Sequence, residues 1–395
     1  RNSRELTRAT EYLRCWRRNS MDLQEIRKQL DSIDAEFVRL FEKRMKLCAD
    51  VAEFKIRTGK AVYDPKREQE KIAAVRSMAE GGFMKEAVGE LFLQMMTLSR
   101  RYQYRLMEQV QSASDFGFQR VEDIEKKQVR IAYQGLEGAY SHAAVIQFFG
   151  EQADMFHVRR FEDAAKAVFE GRADYAVLPI ENSSAGAVSD NYDLLLKYEN
   201  YIVAEVFVPV CHCLLGTRDA ELSDIRTVLA HPQALMQSSQ YLNAREDWRQ
   251  LSVENNAVPA RKVSEEADKS QAAVASRTAA EIYGLKVLAE GINHNRENTT
   301  RFLILSKHPV YRKDADKVSI CFELPHESGT LYNMLNNFAF SHLNMRMIES
   351  RPIPGRNWEY RFFVDIEGNL DDPDMINALK GIAGEANHMR ILGNY

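Results

Sequence analysis

One long helix near the start of this chain is specified by a regular heptad of apolar residues. Between Leu23 and Phe54 the a and d positions hold nine apolar residues and one cation, Arg44. A 3.5-residue repeat of this length predicts a helix whose seam is buried against partner helices. Arg44 then needs an anion, because an unpaired buried charge costs about 3–5 kcal/mol. A bound ligand or a core glutamate would supply it, unless the side chain reaches outward to water.

Two further cations lie on the same predicted helix. Lys55 follows Arg44 by eleven residues, a rotation of about 20°, so the two cations line one face. Arg27 is rotated by about 100° from Arg44 and suits a different pocket, such as that of a partner subunit.

A second helix is predicted to begin after Gly59. Asp64 has the character of an N-cap, and the proline that follows it suits the first helical position. Arg67 and Glu68 stand three and four residues after Asp64, so the three side chains share one face. Taken singly, these features are also typical of ordinary caps and surface ion pairs.

A third helix, from about Met84 to Met107, places Ser99 and Gln103 one turn apart. Together the three helices resemble the all-helical, intertwined-dimer chorismate mutases over roughly residues 21 to 105. The resemblance implies a substrate site that comprises Arg27, Arg44, Lys55, Asp64, Arg67, Glu68, Ser99 and Gln103.

The resemblance also implies a role for each part of this site. Lys55 and Gln103 are the implied catalytic pair, since they would hydrogen-bond the breaking ether oxygen, while Arg44 joins Lys55 at the substrate carboxylates. Glu68 would hold the ring hydroxyl, and Arg27 would come from the other protomer. The rearrangement is pericyclic, so fixed cations and amide donors suffice without a nucleophile.

Composition sets limits on the rest of the chain. At 395 residues, with 45% hydrophobic and 28% charged residues, we expect two or three globular domains. A net charge of −4 gives no reason to expect nucleic acid as a partner.

Residues 1–20 hold six arginines and no apolar stretch, so we expect a disordered extension. Residues 201–217 read as a strand, which leaves no membrane span.

The five scattered cysteines suggest reduced thiols and a cytoplasmic location. Cys211-His212-Cys213 raises the question of a metal, but it lies in a β-rich run with no second ligand pair nearby. We therefore expect a structural strand there and no metal site.

A polar linker is expected over 108–128, and strands and helices alternate after it, which predicts α/β architecture with a cleft between two lobes. The run Gly135 to Gly138 lacks the G-x-G-x-x-G pattern, so a nicotinamide cofactor is not expected, and no other cofactor is implied.

Polar loops follow or open several of these strands, at 135–141, 179–186, 231–233 and 298–302, where open α/β sheets bind ligands. In combination these loops resemble prephenate dehydratase, across 129–308, with a two-lobed fold like that of periplasmic binding proteins. The Thr-Arg-Phe run is its most specific part. The resemblance implies Thr300 as the catalytic hydroxyl and substrate-cleft positions at Asn182, Ser183, Gln233 and Arg301.

Two points about this loop set stay open. Ala139-Tyr140-Ser141 stands where relatives often carry Thr-Phe-Thr. Thr300 could donate the proton to the leaving hydroxyl, although the pKa of an alcohol lies far above the pH at which the enzyme works. A desolvated Glu181 is another conceivable acid.

Residues 309–395 follow the order βαββαβ, which is the ferredoxin-like topology. Two motifs in it resemble the effector sites of the ACT domains that give such dehydratases feedback control by phenylalanine. The implied effector-binding residues are Gly329, Thr330, Leu331, Glu349, Ser350, Arg351 and Pro352.

These resemblances together predict a bifunctional enzyme of phenylalanine biosynthesis that acts on chorismate and prephenate and forms a homodimer or a higher homo-oligomer. Within enzymes, the alternative is a dehydratase with an inactive mutase part, or one that prefers arogenate. A pure amino-acid sensor, built from an ACT domain and a binding-protein cleft, is the rival from another class.

Overall fold

The computed structural model describes residues 22–107, 113–253, 255, 257–327 and 329–395. The chain divides near residue 110 into two compact units. The extension expected over residues 1–20, and the first part of the expected linker, lie outside the described residues.

The described residues of the first unit form three helices, as predicted: α1 (Leu23–Thr58), α2 (Pro65–Met78) and α3 (Gly82–Met107). Gly59 ends α1 in the left-handed conformation, with φ of 66°. Such a conformation suits glycine, which has no Cβ to clash. Asp64 is the N-cap of α2, and Pro65 follows it at the first helical position.

The seam of α1 is not buried within one chain. Leu23, Ile26, Leu30, Ile33 and Phe37 are between 36% and 62% exposed. The prediction of burial therefore fails within a single chain. The physical reason is that α2 and α3 leave the seam uncovered along the helix, since Leu40, Leu47, Val51 and Phe54 are also 43% to 59% exposed.

The second unit begins with a two-lobed α/β region. The first lobe is a mixed sheet with α4 on one face and α5 and α6 on the other, because the buried strands carry apolar side chains on both faces. Its elements are β2 (Arg130–Gln134), α4 (Tyr140–Phe149), β3 (Asp154–Val158), α5 (Phe161–Phe169), β4 (Tyr175–Asn182), β5 (Gly186–Ala187), α6 (Ser189–Lys197), β6 (Tyr201–Pro209) and β12 (Thr299–Ser306).

The second lobe is a five-stranded sheet in the order β11-β7-β10-β8-β9. The chain enters it after β6 and returns to the first lobe through β12, so two crossings connect the lobes. Its elements are β7 (Cys213–Gly216), β8 (Thr227–Ala230), α7 (Pro232–Gln237), α8 (Ser239–Asn243), β9 (Arg249–Ser252), α9 (Val258–Glu266), β10 (Gln271–Ala275), α10 (Arg277–Tyr283) and β11 (Lys286–Ala289).

The C-terminal region has the predicted βαββαβ order and a four-stranded sheet arranged β15-β16-β14-β17. This sheet continues into the first lobe, since β17 pairs with β6 through Gly393 and Ile202. The two helices cover one face of it. Its elements are β14 (Lys317–Glu323), α11 (Thr330–Phe340), β15 (Met345–Pro352), β16 (Tyr360–Glu367), α12 (Pro373–Glu385) and β17 (His388–Asn394).

The expected linker is largely part of the second unit. Strand β1 (Gln119–Val121) pairs in parallel with β13 (Val310–Arg312). Phe118 is buried and packs edge-on against Tyr201, with ring centroids 5.5 Å apart. The polar composition of this stretch concealed its few buried aromatic residues.

Across the described residues, no helix is both long enough and apolar enough to cross a membrane.

Candidate functional sites

In the helical unit, Arg44 connects α1 to α3. Its Nη1 donates to the Ser99 hydroxyl, and to the Met95 carbonyl at 3.3 Å. Its other neighbour is the Cys48 sulfur. All of these partners, within the part of the chain that the structure describes, are neutral. The guanidinium charge is thus held in place by the helix but is not balanced, as a site for an anion requires.

Lys55 lies half-buried beside the start of α2. Its Nζ donates to the Val62 carbonyl at 2.6 Å. Burial lowers the pKa of Lys55, and the nearby carboxylates of Asp64 and Glu68 oppose that effect. Lys55, Asp64 and Glu68 therefore lie close enough to interact electrostatically.

The residues at the start of α2 divide between this site and solvent. Asp64 accepts from the backbone N–H of Arg67 at 3.0 Å, which is the predicted cap. The Arg67 side chain is 72% exposed and lies 3.9 Å from Glu70. Within one chain, therefore, Arg67 does not join the polar wall to which the resemblance assigns it.

Gln103 is buried one turn beyond Ser99, as the spacing predicted. Its Nε2 donates to the Ser99 carbonyl at 3.2 Å. Its Oε1 is buried and has no hydrogen-bond partner among the described residues. An unsatisfied amide oxygen in a polar pocket can accept a hydrogen bond from a ligand. Arg27, by contrast, is exposed on α1.

Sequence reasoning missed Arg100, which follows Ser99 directly. Its Nη1 lies 2.6 Å from Glu68 Oε1, and its Nη2 donates to the Thr97 hydroxyl at 3.0 Å. The residue after Ser99 is turned by about 100° on a helix, so the spacing that linked Ser99 to Gln103 could not include it.

In the second unit, Thr300 lies at the start of β12 against Asn182 at the end of β4. Asn182 Nδ2 donates to Thr300 Oγ1 and to Asn298 Oδ1, each at 2.8 Å. Asn182 Oδ1 accepts from the backbone N–H groups of Ser184 and Ala185. Because Thr300 Oγ1 accepts from Asn182, its own proton remains available to donate to another acceptor.

A chain of buried side chains extends from this pair to the second lobe. Asn298 Nδ2 donates to Gln237 Oε1 at 3.1 Å, and His212 Nε2 lies 2.9 Å from that same oxygen. His212 Nδ1 lies 3.0 Å from the Tyr140 hydroxyl. Burial lowers the pKa of His212. A neutral ring with its proton on Nε2 donates to Gln237 and accepts from Tyr140.

Asn298, Gln237 and Tyr140 were not among the predicted site residues, although Tyr140 had been noted as a departure. For Tyr140 the signal in the sequence was the hydroxyl, which a phenylalanine at that position lacks. For Asn298 the signal was its place directly before the Thr-Arg-Phe run.

Ser183 and Gln233 have separate positions near this network. The Ser183 hydroxyl accepts from the Thr299 N–H at 2.9 Å, and the residue is exposed. Gln233 is half-buried at the start of α7, and its Nε2 has no partner among the described residues. Both residues lie at ends of elements in the α/β region, as expected of ligand-binding loops.

Arg301 does not lie with Thr300, contrary to the prediction. Its side chain, 9% exposed, pairs with Glu205 at 2.6 Å and Asp365 at 2.7 Å. Its Nη2 donates to the Tyr395 hydroxyl at 2.9 Å. Successive residues in a strand point to opposite faces, so Arg301 is turned toward the C-terminal region.

Glu181, the other acid considered, lies opposite Arg301 rather than opposite Thr300. The register pairs Arg301 with Glu181, and Thr300 with Asn182. The Glu181 carboxylate is about half exposed and lies 3.9 Å from Arg301. It is therefore neither desolvated nor directed at the Thr300 hydroxyl.

The cysteine pair approaches a third possible ligand without forming a convincing metal site. Cys211, Cys213 and Glu290 offer ligand atoms within 4.8 Å of one another. Glu290 already accepts from Arg277, at 3.1 Å. Burial raises the pKa of Cys213 to about 11, which keeps it a thiol.

The two motifs that the resemblance predicts to bind the effector lie on α11 and β15. Gly329 caps α11 with φ of 84°, and the Thr330 hydroxyl donates to the Pro325 carbonyl at 3.1 Å. On β15, Arg351 pairs with Asp193 at 2.6 Å and Asp190 at 3.0 Å, both on α6.

The remaining motif residues differ in exposure. Glu349 Oε1 accepts from the Ser189 hydroxyl at 3.2 Å, so it also contacts α6. Ser350 and Pro352 are exposed, as the alternation of β15 requires, and Leu331 is half-buried on α11.

Comparison with known proteins agrees with this division of the chain. The model of the family Chorismate mutase type II matches residues 26–104, and that of Prephenate dehydratase matches residues 131–310. A bifunctional chorismate mutase/prephenate dehydratase from Neisseria gonorrhoeae is 33% identical over 370 residues, which is 93% of this chain and 95% of that protein.

Two other relatives cover the second unit. A chloroplastic arogenate dehydratase/prephenate dehydratase 1 from Arabidopsis thaliana is 40% identical and covers 69% of this chain and 73% of its own length. The solved prephenate dehydratase from Arthrobacter aurescens, in complex with L-Phe, is 30% identical with a TM-score of 0.63. It covers 68% of this chain and 90% of that one. Since the match to the bifunctional enzyme spans both units, this chain belongs to the bifunctional chorismate mutase/prephenate dehydratase family.

Proposed function

We propose that this chain rearranges chorismate to prephenate in its helical unit, and dehydrates and decarboxylates prephenate to phenylpyruvate in its α/β unit. The observation that carries the first step is the unbalanced charge of Arg44, which Ser99 and Met95 of α3 hold in place. The second step is carried by the Thr300 hydroxyl, which accepts from Asn182 and keeps its proton for a ligand.

In the mutase step the protein needs to hold a dianion in a compact conformer. Arg44 and Lys55 supply fixed positive charge for its carboxylates. Lys55 and the second Nε2–H of Gln103, the one not donated to the Ser99 carbonyl, also act at the ether oxygen, where negative charge grows as the bond breaks. One preorganised donor at such an oxygen is worth about 2.7–4 kcal/mol, so the two together supply a substantial part of the acceleration.

In the dehydratase step the ring hydroxyl leaves with a proton while CO₂ departs, and the product gains an aromatic ring. Thr300 donates a proton to that hydroxyl, and Asn182 fixes the rotamer of Thr300 through a 2.8 Å hydrogen bond. Asn298 and Gln237 in turn hold Asn182, so the donor is preorganised by a buried amide network. Ser183 and Gln233 are proposed to contact the substrate.

The direct test is to incubate the purified chain with chorismate alone and to follow phenylpyruvate. Both activities together should give phenylpyruvate without added prephenate. Arg44→Ala should abolish chorismate turnover and leave prephenate turnover near that of the parent. If chorismate turnover by that variant stays within about fivefold of the parent, Arg44 is structural rather than a substrate ligand, since loss of a charged hydrogen bond costs more than that. Arogenate, offered as a second substrate, tests the alternative specificity.

A homodimer is the proposed assembly, because the apolar seam of α1 is uncovered in one chain. Two copies that cross along this seam would bury Leu30 and Ile33, and each would present its exposed Arg27 to the other. Light scattering should report at least a dimer. Leu30→Glu should break the contact along α1 and reduce mutase activity, whereas dehydratase activity per chain should change little.

The proposal includes an ACT regulatory domain over residues 309–395 that binds phenylalanine as an inhibitor. It is supported by the βαββαβ order of its elements and by the L-Phe in the Arthrobacter aurescens relative. Within this domain β15 is the edge strand, so a second copy could pair there. We also propose a cytoplasmic location, supported by free thiols at Cys48, Cys211, Cys213 and Cys321.

A further inference from the structure

Arg100 is a buried cation within the helical unit to which the proposed mutase chemistry assigns no role. It follows Ser99 on α3, and its side chain is 8% exposed. The guanidinium lies across the Tyr63 ring, 5.0 Å from the centroid. One nitrogen of Arg100, Nη1, contacts both oxygens of Glu68 and lies 2.6 Å from Oε1. Glu68 itself is 18% exposed, so this is a largely desolvated ion pair.

Stability alone is a poor explanation for such a pair. Desolvation of two charges offsets most of their attraction, and an apolar pair of similar volume would serve the core equally well. The pair lies instead beside a predicted catalytic residue. Arg100 and Glu68 both contribute to the electrostatic field at Lys55, with opposite signs: Arg100 lowers the pKa of Lys55 and Glu68 raises it.

The geometry restricts what Glu68 can do. A carboxylate whose two oxygens both contact one nitrogen is restricted in its rotation, and that nitrogen is itself held because the guanidinium lies across the Tyr63 ring. Its remaining lone pairs can still accept one more hydrogen bond. A cation at this distance also offsets the repulsion that an isolated Glu68 would exert on an incoming dianion.

We propose that Arg100 is a positioning residue of the mutase site. It fixes Glu68 in the orientation that accepts the ring hydroxyl of the substrate, and it neutralises Glu68 toward the two substrate carboxylates. This inference rests on the proposed mutase function of the helical unit.

A double-mutant cycle tests whether Arg100 acts through Glu68. The chains compared are the parent, Arg100→Met, Glu68→Gln and the double variant, all full length, with kcat and KM for chorismate. Arg100→Met should lower kcat/KM by about tenfold or more in the parent, and by threefold or less in the Glu68→Gln background, which has no charged carboxylate to orient. An equal loss in both backgrounds would overturn the proposal.

A conservative substitution separates charge from geometry. Arg100→Lys keeps the cation but loses the planar guanidinium that lies across the Tyr63 ring and presents Nη1 to Glu68. It should therefore keep KM for chorismate within about twofold of the parent, because the charge is retained, and lower kcat, because Glu68 is no longer oriented. If Arg100→Lys and Arg100→Met raise KM and lower kcat to the same extent, the guanidinium fills space rather than positions Glu68.

Two controls keep these outcomes interpretable. Thr97→Val removes a further side-chain partner of Arg100 while preserving shape, and should leave kcat/KM within about threefold. Prephenate turnover in each variant monitors the integrity of the chain, since it depends on the other unit, and circular dichroism reports the helices. A parent with no mutase activity would reject the proposed function itself, whereas an active parent with an additive cycle would reject only the role of Arg100.

Discussion

The Arg301 guanidinium lies 2.7 Å from the Asp365 carboxylate, and this pair joins the strand that carries Thr300 to the C-terminal region. Glu205 takes the other side of the guanidinium, and Lys317 pairs with Glu205 at 2.5 Å. Burial by itself would lower the pKa of Arg301, but Tyr395, Asp365 and Glu205 raise it above the ordinary value. The guanidinium therefore stays charged, and two cations balance two carboxylates inside the protein.

We predict that Asp365→Asn destabilises the second unit strongly, because it leaves one buried cation of this network without its anion. Removal of one partner from a buried pair costs about 3–5 kcal/mol. Urea unfolding of parent and variant measures the loss. Glu181→Gln is the matched control, since Glu181 is half exposed and 3.9 Å from Arg301, and an exposed pair contributes about 0–1 kcal/mol. If the two substitutions lower the free energy of unfolding equally, the pair between Asp365 and Arg301 contributes no more to stability than an exposed pair does.

Thr300→Ala should stop phenylpyruvate formation and cause prephenate to accumulate when the enzyme is given chorismate. The reason is that the variant lacks the hydroxyl that Asn182 orients. Thr300→Ser keeps a hydroxyl and should retain measurable turnover, reduced because the serine rotamer is less restricted. Chromatographic separation of chorismate, prephenate and phenylpyruvate gives the result. Persistent dehydratase activity in Thr300→Ala would mean that another group supplies the proton.

The sequence was a good guide wherever a function depends on spacing along one helix or on a loop motif. Ser99 and Gln103 lie one turn apart, and Asp64 caps α2 as expected. Asn182 and Thr300 meet although 118 residues separate them, because their strands pair. A family motif anticipates such a contact, while composition and periodicity do not.

The failures have equally specific causes. Arg301 was grouped with Thr300 by motif, although neighbours on a strand face opposite ways. Its partners Asp365 and Tyr395 come from the end of the chain, which no local pattern could pair with it. The seam of α1 was expected to be buried, but a heptad specifies an apolar face and not the chain that covers it.

The stability of the second unit should fall in mild acid because of His212. Burial lowers the pKa of this buried ring below its usual value of 6.5. The unfolded chain therefore binds a proton first as pH falls, so the contribution of His212 to stability is fully present above about 6.5 and declines below it. His142 and His231 are shifted in the same direction and add to the effect.

The measurement is the melting temperature of parent and His212→Gln between pH 8 and pH 5. The variant should lose less stability over this range than the parent, because glutamine does not titrate. His294→Gln replaces an exposed ring and serves as the control, with a pH dependence like that of the parent. Parallel curves for parent and His212→Gln would show that His212 is not a source of the acid sensitivity.

Phenylalanine should lower dehydratase activity, and Arg351→Ala should weaken that inhibition more than it weakens turnover. Arg351 on β15 pairs with Asp190 and Asp193 on α6. This helix begins at Ser189, seven residues after Asn182, so β15 contacts the helix that follows the loop proposed to hold the substrate. An effector can shift an equilibrium only through contacts that differ between its two states, and this contact is one that could differ.

A point substitution is a better test than deletion of residues 309–395. Deletion would remove Asp365 and Tyr395 from Arg301 and expose β6 at its pairing with β17. We expect Arg351→Ala to raise the phenylalanine concentration for half inhibition by about 5- to 150-fold, the usual range of allosteric coupling. Arg346→Ala is the matched control, since Arg346 lies on the same strand but pairs with Glu367. Tyrosine and tryptophan are the ligand controls. If the parent does not respond to phenylalanine, the C-terminal domain serves assembly rather than regulation. If phenylalanine inhibits Arg351→Ala as strongly as the parent, the contact between Arg351 and α6 does not transmit the inhibition.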